Sequence, residues 1–80
     1  MSTDADPGNS FFDITPHDSN AVARIPRAVY VGVGGDIVCR GLDSDSDVTL
    51  KNVPSGALLP IRPKFIRATD TTATDLVGIA

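Results

Sequence analysis

From Asn20 onward, short apolar runs alternate with Gly, Pro and Asp clusters, and no window repeats apolar residues at helical spacing for three turns. This pattern predicts strands over Ala21–Ile25, Ala28–Val33, Ile37–Leu42, Val48–Val53, Ala57–Ile61, Phe65–Thr69 and Leu76–Ile79. Strands this short, spaced about ten residues apart, predict an all-β fold, a small antiparallel β-sandwich or barrel. Turn chemistry supports the division. Gly34-Gly35-Asp36 suits a tight hairpin joining a strand that ends at Val33 to one that starts at Ile37. Asp43–Asp47 is a polar link whose carboxylates and hydroxyls can bond their own backbone, and Pro54-Ser55-Gly56 is a third turn signal.

Prolines sharpen the picture. Pro26, Pro54, Pro60 and Pro63 lack the N–H that a central strand must donate, so their neighbourhoods belong at edges, bulges or strand ends. The stretch Leu58–Phe65 is expected to run extended without full ladder pairing and to be able to lie across another subunit. The hydroxyls of the tract TDTTATD, Thr69–Asp75, favour a hydrogen-bonded loop over a buried strand. Before Asn20 the pattern breaks down. Residues 1–9 have almost nothing to bury, the composition of a disordered segment. Between Ser10 and Asn20, Phe11, Phe12 and Ile14 are mixed with Pro16, His17 and Asp18. The expected organisation is a flexible N-terminal arm over residues 1–20, with two adjacent phenylalanines outside the regular strands, and a small β domain over residues 21–80.

Size changes what this pattern must accomplish. A chain of 80 residues makes one domain at most, with a marginal core, and its single cysteine, Cys39, cannot close an intrachain bridge. Neighbouring chains are the simplest source of the missing apolar burial. No stretch approaches the roughly 20 apolar residues that span a bilayer, and MSTDADPGNS lacks the marks of a signal peptide, so assembly in the cytoplasm and no membrane partner are expected. A net charge of −3 disfavours a nucleic-acid footprint. The charge is uneven along the chain: Asp4, Asp6, Asp13 and Asp18 crowd the first quarter and Arg62, Lys64 and Arg67 a segment near the end.

Catalytic and ligand chemistry finds little support. The one histidine, His17, lies in the irregular N-terminal segment, and a dyad of it with Cys39 is weighed against the phase of Cys39, which alternates with Ile37 as a buried strand residue does. Structural zinc wants four nitrogen or sulfur ligands. Asp43-Ser44-Asp45-Ser46-Asp47 starts like a calcium loop, but Val48 stands where the glycine is needed and Pro54 where the bidentate glutamate belongs. Gly32-Val33-Gly34-Gly35 lacks the spacing, helix and lysine of a phosphate loop. Neither a cofactor nor a metal site is expected, and the balance moves from enzyme to structural protein.

Two stretches carry a resemblance: Arg27–Asp36, RAVYVGVGGD, and Val48–Ile79, VTLKNVPSGALLPIRPKFIRATDTTATDLVGI, with Asn52–Arg62 and Thr71–Asp75 the most specific parts. They resemble the spike base protein family of gene transfer agents and related tailed phages, small virion proteins on the outside of the head. The chain departs from that pattern at Ser55 and Asp70, where small or glycine residues are usual, and at the non-aromatic end Ala80. The resemblance implies a virion protein on the capsid surface, at fivefold vertices if it is a spike base. Its partners would be the major capsid protein, further copies of itself as a pentamer or trimer, and a spike fibre protein. Similar small phage proteins act instead as cement at threefold positions.

The expected mechanism is adhesion. Phe11, Phe12 and Ile14 are the candidate apolar anchors, and Arg62, Lys64 and Arg67 the candidate charged interface contacts. Opposite charges at separate places suit a closed ring, in which one face of a subunit meets a different face of the next. A carbohydrate-binding module is the alternative from another class; against it, the chain has no tryptophan and one tyrosine.

Overall fold

The computed structural model describes residues 9–80, so the disorder expected over residues 1–9 falls, apart from Asn9, outside the described residues. Strands occupy β1 (Phe11–Ile14), β2 (Ala28–Val33), β3 (Gly35–Gly41), β4 (Val48–Val53), β5 (Leu58–Leu59), β6 (Pro63–Ile66) and β7 (Thr74–Ile79). All pairings are antiparallel, in a four-stranded sheet A of order β1-β7-β2-β5 and a three-stranded sheet B of order β4-β3-β6. The all-β sandwich follows from strict alternation. In β2, Val29 and Val31 are fully buried whereas Tyr30 between them is exposed. Ile14, Val29, Val31 and Leu76 of sheet A meet Ile37, Cys39, Val53 and Ile66 of sheet B in one core. Each such aliphatic side chain contributes about 1.5–3 kcal/mol by leaving water.

Two expectations are corrected. Ala21–Ile25 is not a strand: only Val22 N–H bonds across, to the Lys64 carbonyl at 2.9 Å, and the segment drapes over the outer edge of β6 before the buried Pro26. Gly34-Gly35-Asp36 is not a hairpin either, because β2 lies in sheet A and β3 in sheet B. Its glycines are needed for close approach. A Cβ on Gly34 would run into the Val53 carbonyl oxygen and lie 2.7 Å from Ser55 N; one on Gly35 would lie 2.6 Å from Thr72 Oγ1. The chain crosses between the layers through a gap that only backbone fits.

A third finding concerns the N-terminal segment. Phe11 and Phe12, expected outside the regular strands, lie in β1, which pairs with the far end of the chain: Phe11 with Ile79, Phe12 with Gly78 and Ile14 with Leu76. Four residues interrupted by Asp13 and followed by Pro16 carry too little local signal, and their partner is more than sixty positions away.

Two of the three departures from the resembled pattern, Ser55 and Asp70, have physical roles. The Ser55 hydroxyl accepts the Gly34 N–H at 2.8 Å. Asp70 sits at φ 67°, a left-handed conformation that glycine adopts freely and Asp tolerates. The threonine tract is the loop that its hydroxyls foretold over Thr69–Ala73, whereas its last two residues, Thr74 and Asp75, open β7. Thr71 Oγ1 accepts Val38 N–H at 3.0 Å and Thr72 Oγ1 accepts Asp36 N–H at 2.8 Å, continuing the β3 ladder with side chains beyond the end of β6.

Candidate functional site

Alternation gives the two outer surfaces opposite characters. On sheet A the outward positions are Phe11 and Asp13 of β1, Val77 and Ile79 of β7, Ala28 and Tyr30 of β2 and Leu58 of β5, aligned by the registers Phe11–Ile79–Ala28 and Asp13–Val77–Tyr30–Leu58. Phe11 is 71% exposed, Leu58 59% and Tyr30 42%. A mostly apolar stripe therefore crosses all four strands of sheet A in water, the kind of patch that marks an interaction surface.

Sheet B presents charge. Arg67 Nε bonds Asp47 Oδ2 at 3.0 Å and Arg40 Nε bonds Asp47 Oδ1 at 3.1 Å, while the Phe65 ring lies 4.2 Å from the Arg67 guanidinium carbon and 5.4 Å from that of Arg40. Arg67 also donates to the Asp18 carbonyl at 2.8 Å, and the Asp18 carboxylate accepts both Thr69 N–H and its hydroxyl at 2.7 Å. These bonds from Thr69 hold the Asp18 carboxyl below its ordinary range, and Arg67 does the same for Asp47. Backbone and side-chain bonds thus tie His17 and Asp18 to Ile66, Arg67 and Thr69, while the charge of Arg67 is met by Asp47.

The six candidate contacts separate accordingly. Phe11 is exposed on the stripe; Phe12 packs partly buried against the core, with the Arg24 guanidinium 5.8 Å from its ring; Ile14 is inside the core. Arg67 is engaged within its own chain. Arg62 and Lys64 flank the buried Pro63 with exposed side chains, Lys64 Nζ standing 5.7 Å from the Phe65 ring. Tyr30 and Leu58 were not among the candidates. Their outward phase was legible in β2, but the pairing that adds Leu58 to the same stripe is tertiary.

The chemical candidates lie apart. Cys39 is buried, and burial first, then the Asp47 charge, pushes its thiol above the ordinary value. His17 is exposed, and its Nδ1 accepts Ser19 N–H at 3.1 Å and Asn20 N–H at 3.0 Å. Among the described residues no cluster of three His, Cys, Asp or Glu side chains is placed to hold a metal ion. A shallow depression of about 520 Å³ lies beside the end of β1, lined by Asp13, Thr15, Thr71, Thr74 and Asp75 among others, with no cationic side chain. A second groove of about 300 Å³ runs between β1 and residues 20–23, with Phe12, Ile14 and Val22 in its wall.

No protein-family model matches the chain, and no curated protein matches it. Among solved structures, it is similar to a chain of the capsid of a native GTA (gene transfer agent) particle, computed with C5 symmetry. The identity is 40% and the TM-score 0.89, over 100% of this chain and 92% of that one.

Proposed function

The chain belongs to the family of capsid-associated proteins represented in that gene transfer agent particle, and from this premise we propose that it is a non-enzymatic structural subunit. It assembles in the host cytoplasm as a ring of copies on the outside of a phage-like capsid, as the base of a head spike. The observation that carries this reading is likeness over all of this chain and nearly all of the capsid chain, in sequence as well as in fold. A pentameric ring at a vertex is compatible with the C5 symmetry under which the related capsid was computed. The stripe of Phe11, Tyr30 and Leu58 supports adhesion, since a chain this small gains by covering apolar area that its own core leaves wet.

The test is the native mass of the purified protein, alone and with capsid shells. A pentamer that cosediments with shells is expected; a stable monomer without affinity for shells refutes the proposal. Leu58→Asp places a charge on the stripe without touching the core, so it should keep the fold and weaken association about tenfold or more.

A further inference from the structure

Sheet edges expose unpaired N–H and C=O groups, and proteins guard them unless something pairs there. Among the described residues the two sheets have four edges, and three of them are guarded. At β4 the register shifts opposite Gly35–Ile37, Asn52 stands at φ 58° and Lys51 projects from the strand. The β5 edge is two residues long and stops at Pro60. The β6 edge begins with Pro63 and is covered by the N–H groups of His17 and Val22, bonded to the carbonyls of Ile66 and Lys64 at 2.8 and 2.9 Å.

The outward side of β1 has no register shift, no proline within Phe11–Ile14 and no covering segment among the described residues; the one guard it shares with the other edges is the exposed charge of Asp13. Ser10 exchanges both backbone bonds with Ala80 at 2.8 Å, so by alternation Phe12 and Ile14 point their backbone groups toward β7, and Phe11 and Asp13 point theirs outward. Among the described residues no strand pairs with that outward side. Beside it lies the groove walled by Phe12, Ile14 and Val22, and at its C-terminal end the depression whose lining includes the Asp13 and Asp75 carboxylates and no cation.

We infer that the outer edge of β1 is a strand-addition site for an extended segment of the capsid shell protein, with apolar residues for the groove and a Lys or Arg for the Asp13–Asp75 end. This rests on the reading of the chain as capsid-attached. The occupant is a different protein because the chain's other edges are guarded and residues 1–8, MSTDADPG, offer nothing apolar beyond Met1, Ala5 and Pro7 and no cationic side chain. A symmetric β1–β1 pairing would close a twofold dimer, which a ring excludes.

The experiment measures binding of the full chain to capsid shells of the particle lacking it. Asp13→Pro removes one outward N–H to which no bond is made among the described residues, a substitution that edge strands tolerate. It should keep the native mass and melting temperature of the wild type yet bind shells about tenfold or more weakly. Asp13→Glu should bind as wild type, and Asp13→Asn should lose no more than about fivefold, as for a rim charge. Amide exchange at Phe11 and Asp13 should slow on shell binding, a readout that survives even if the proline variant folds poorly. Wild-type-like binding by Asp13→Pro, unprotected amides in the complex, or a lowered native mass in Asp13→Pro each overturns the inference. Failure of the wild type to bind shells would instead sink the capsid reading itself.

Discussion

Adding one methyl group at position 34 tests the crossing between the two sheets. Gly34 is not at positive φ, so the backbone would accept alanine; the obstacle is space. The new Cβ would collide with the Val53 carbonyl oxygen, lie 2.7 Å from Ser55 N and 2.9 Å from Pro54 C, all of them backbone atoms that cannot rotate aside. Relief means parting the crossing from the Pro54 turn, which also stretches the 2.8 Å bond from Gly34 N–H to the Ser55 hydroxyl. Overpacking a filled site costs about 1–3 kcal/mol, and with rigid neighbours on every side the upper figure, about 3 kcal/mol, applies. In a domain of this size that corresponds to a fall in Tm of roughly 12–24 °C at fixed protein concentration. Thermal melting of Gly34→Ala and Gly34→Asn is the assay. A hairpin glycine would tolerate Asn, which accepts the positive φ of such turns, whereas the crossing penalises both. If Asn at position 34 melts within about 2 °C of the wild type, below the ~4 °C that even 1 kcal/mol would produce, the close-approach argument is wrong.

Two further outcomes follow from the charged cluster on sheet B. Arg67 serves Asp47, the Asp18 carbonyl and the Phe65 ring at once, so Arg67→Ala should lower unfolding stability by about 1–2 kcal/mol, and Arg67→Lys should not restore it, because an ammonium cannot present the planar fork. Urea denaturation of the two variants measures this. The folded-state values of Asp18 and Asp47 are depressed, so their contribution is present above the unfolded Asp value of about 3.9 and is lost as pH falls through the lower folded values. Melting temperatures between pH 7 and 2 should therefore drop in acid for the wild type and drop less steeply for Asp18→Asn; equal slopes refute the assignment.

Much of the fold was legible because its signals are local. β2 and β4 occupy the stretches that short apolar runs between turn residues mark, and the burial of Val29 and Val31 follows from the alternation within β2. Proline placement was equally readable: Pro63 opens an edge strand, and Pro54 enters the turn closed by Ala57 N–H on the Pro54 carbonyl, with Gly56 at φ 80°. The threonine tract advertised its loop through hydroxyls that seek backbone partners.

What the amino-acid order determined alone was therefore the class of structure and the place of strands such as β2 and β4, since both depend on neighbours one or two residues away. Tertiary structure decided the rest. It made β1 a strand by supplying β7, turned an apparent hairpin into a passage between layers, joined Arg67 to Asp18 and Asp47, and aligned Phe11, Tyr30 and Leu58 across one face. Each of these depends on which distant segments become neighbours, and that choice is made by closing the common core, where the free energy belongs to the ensemble of contacts and to no single stretch of chain.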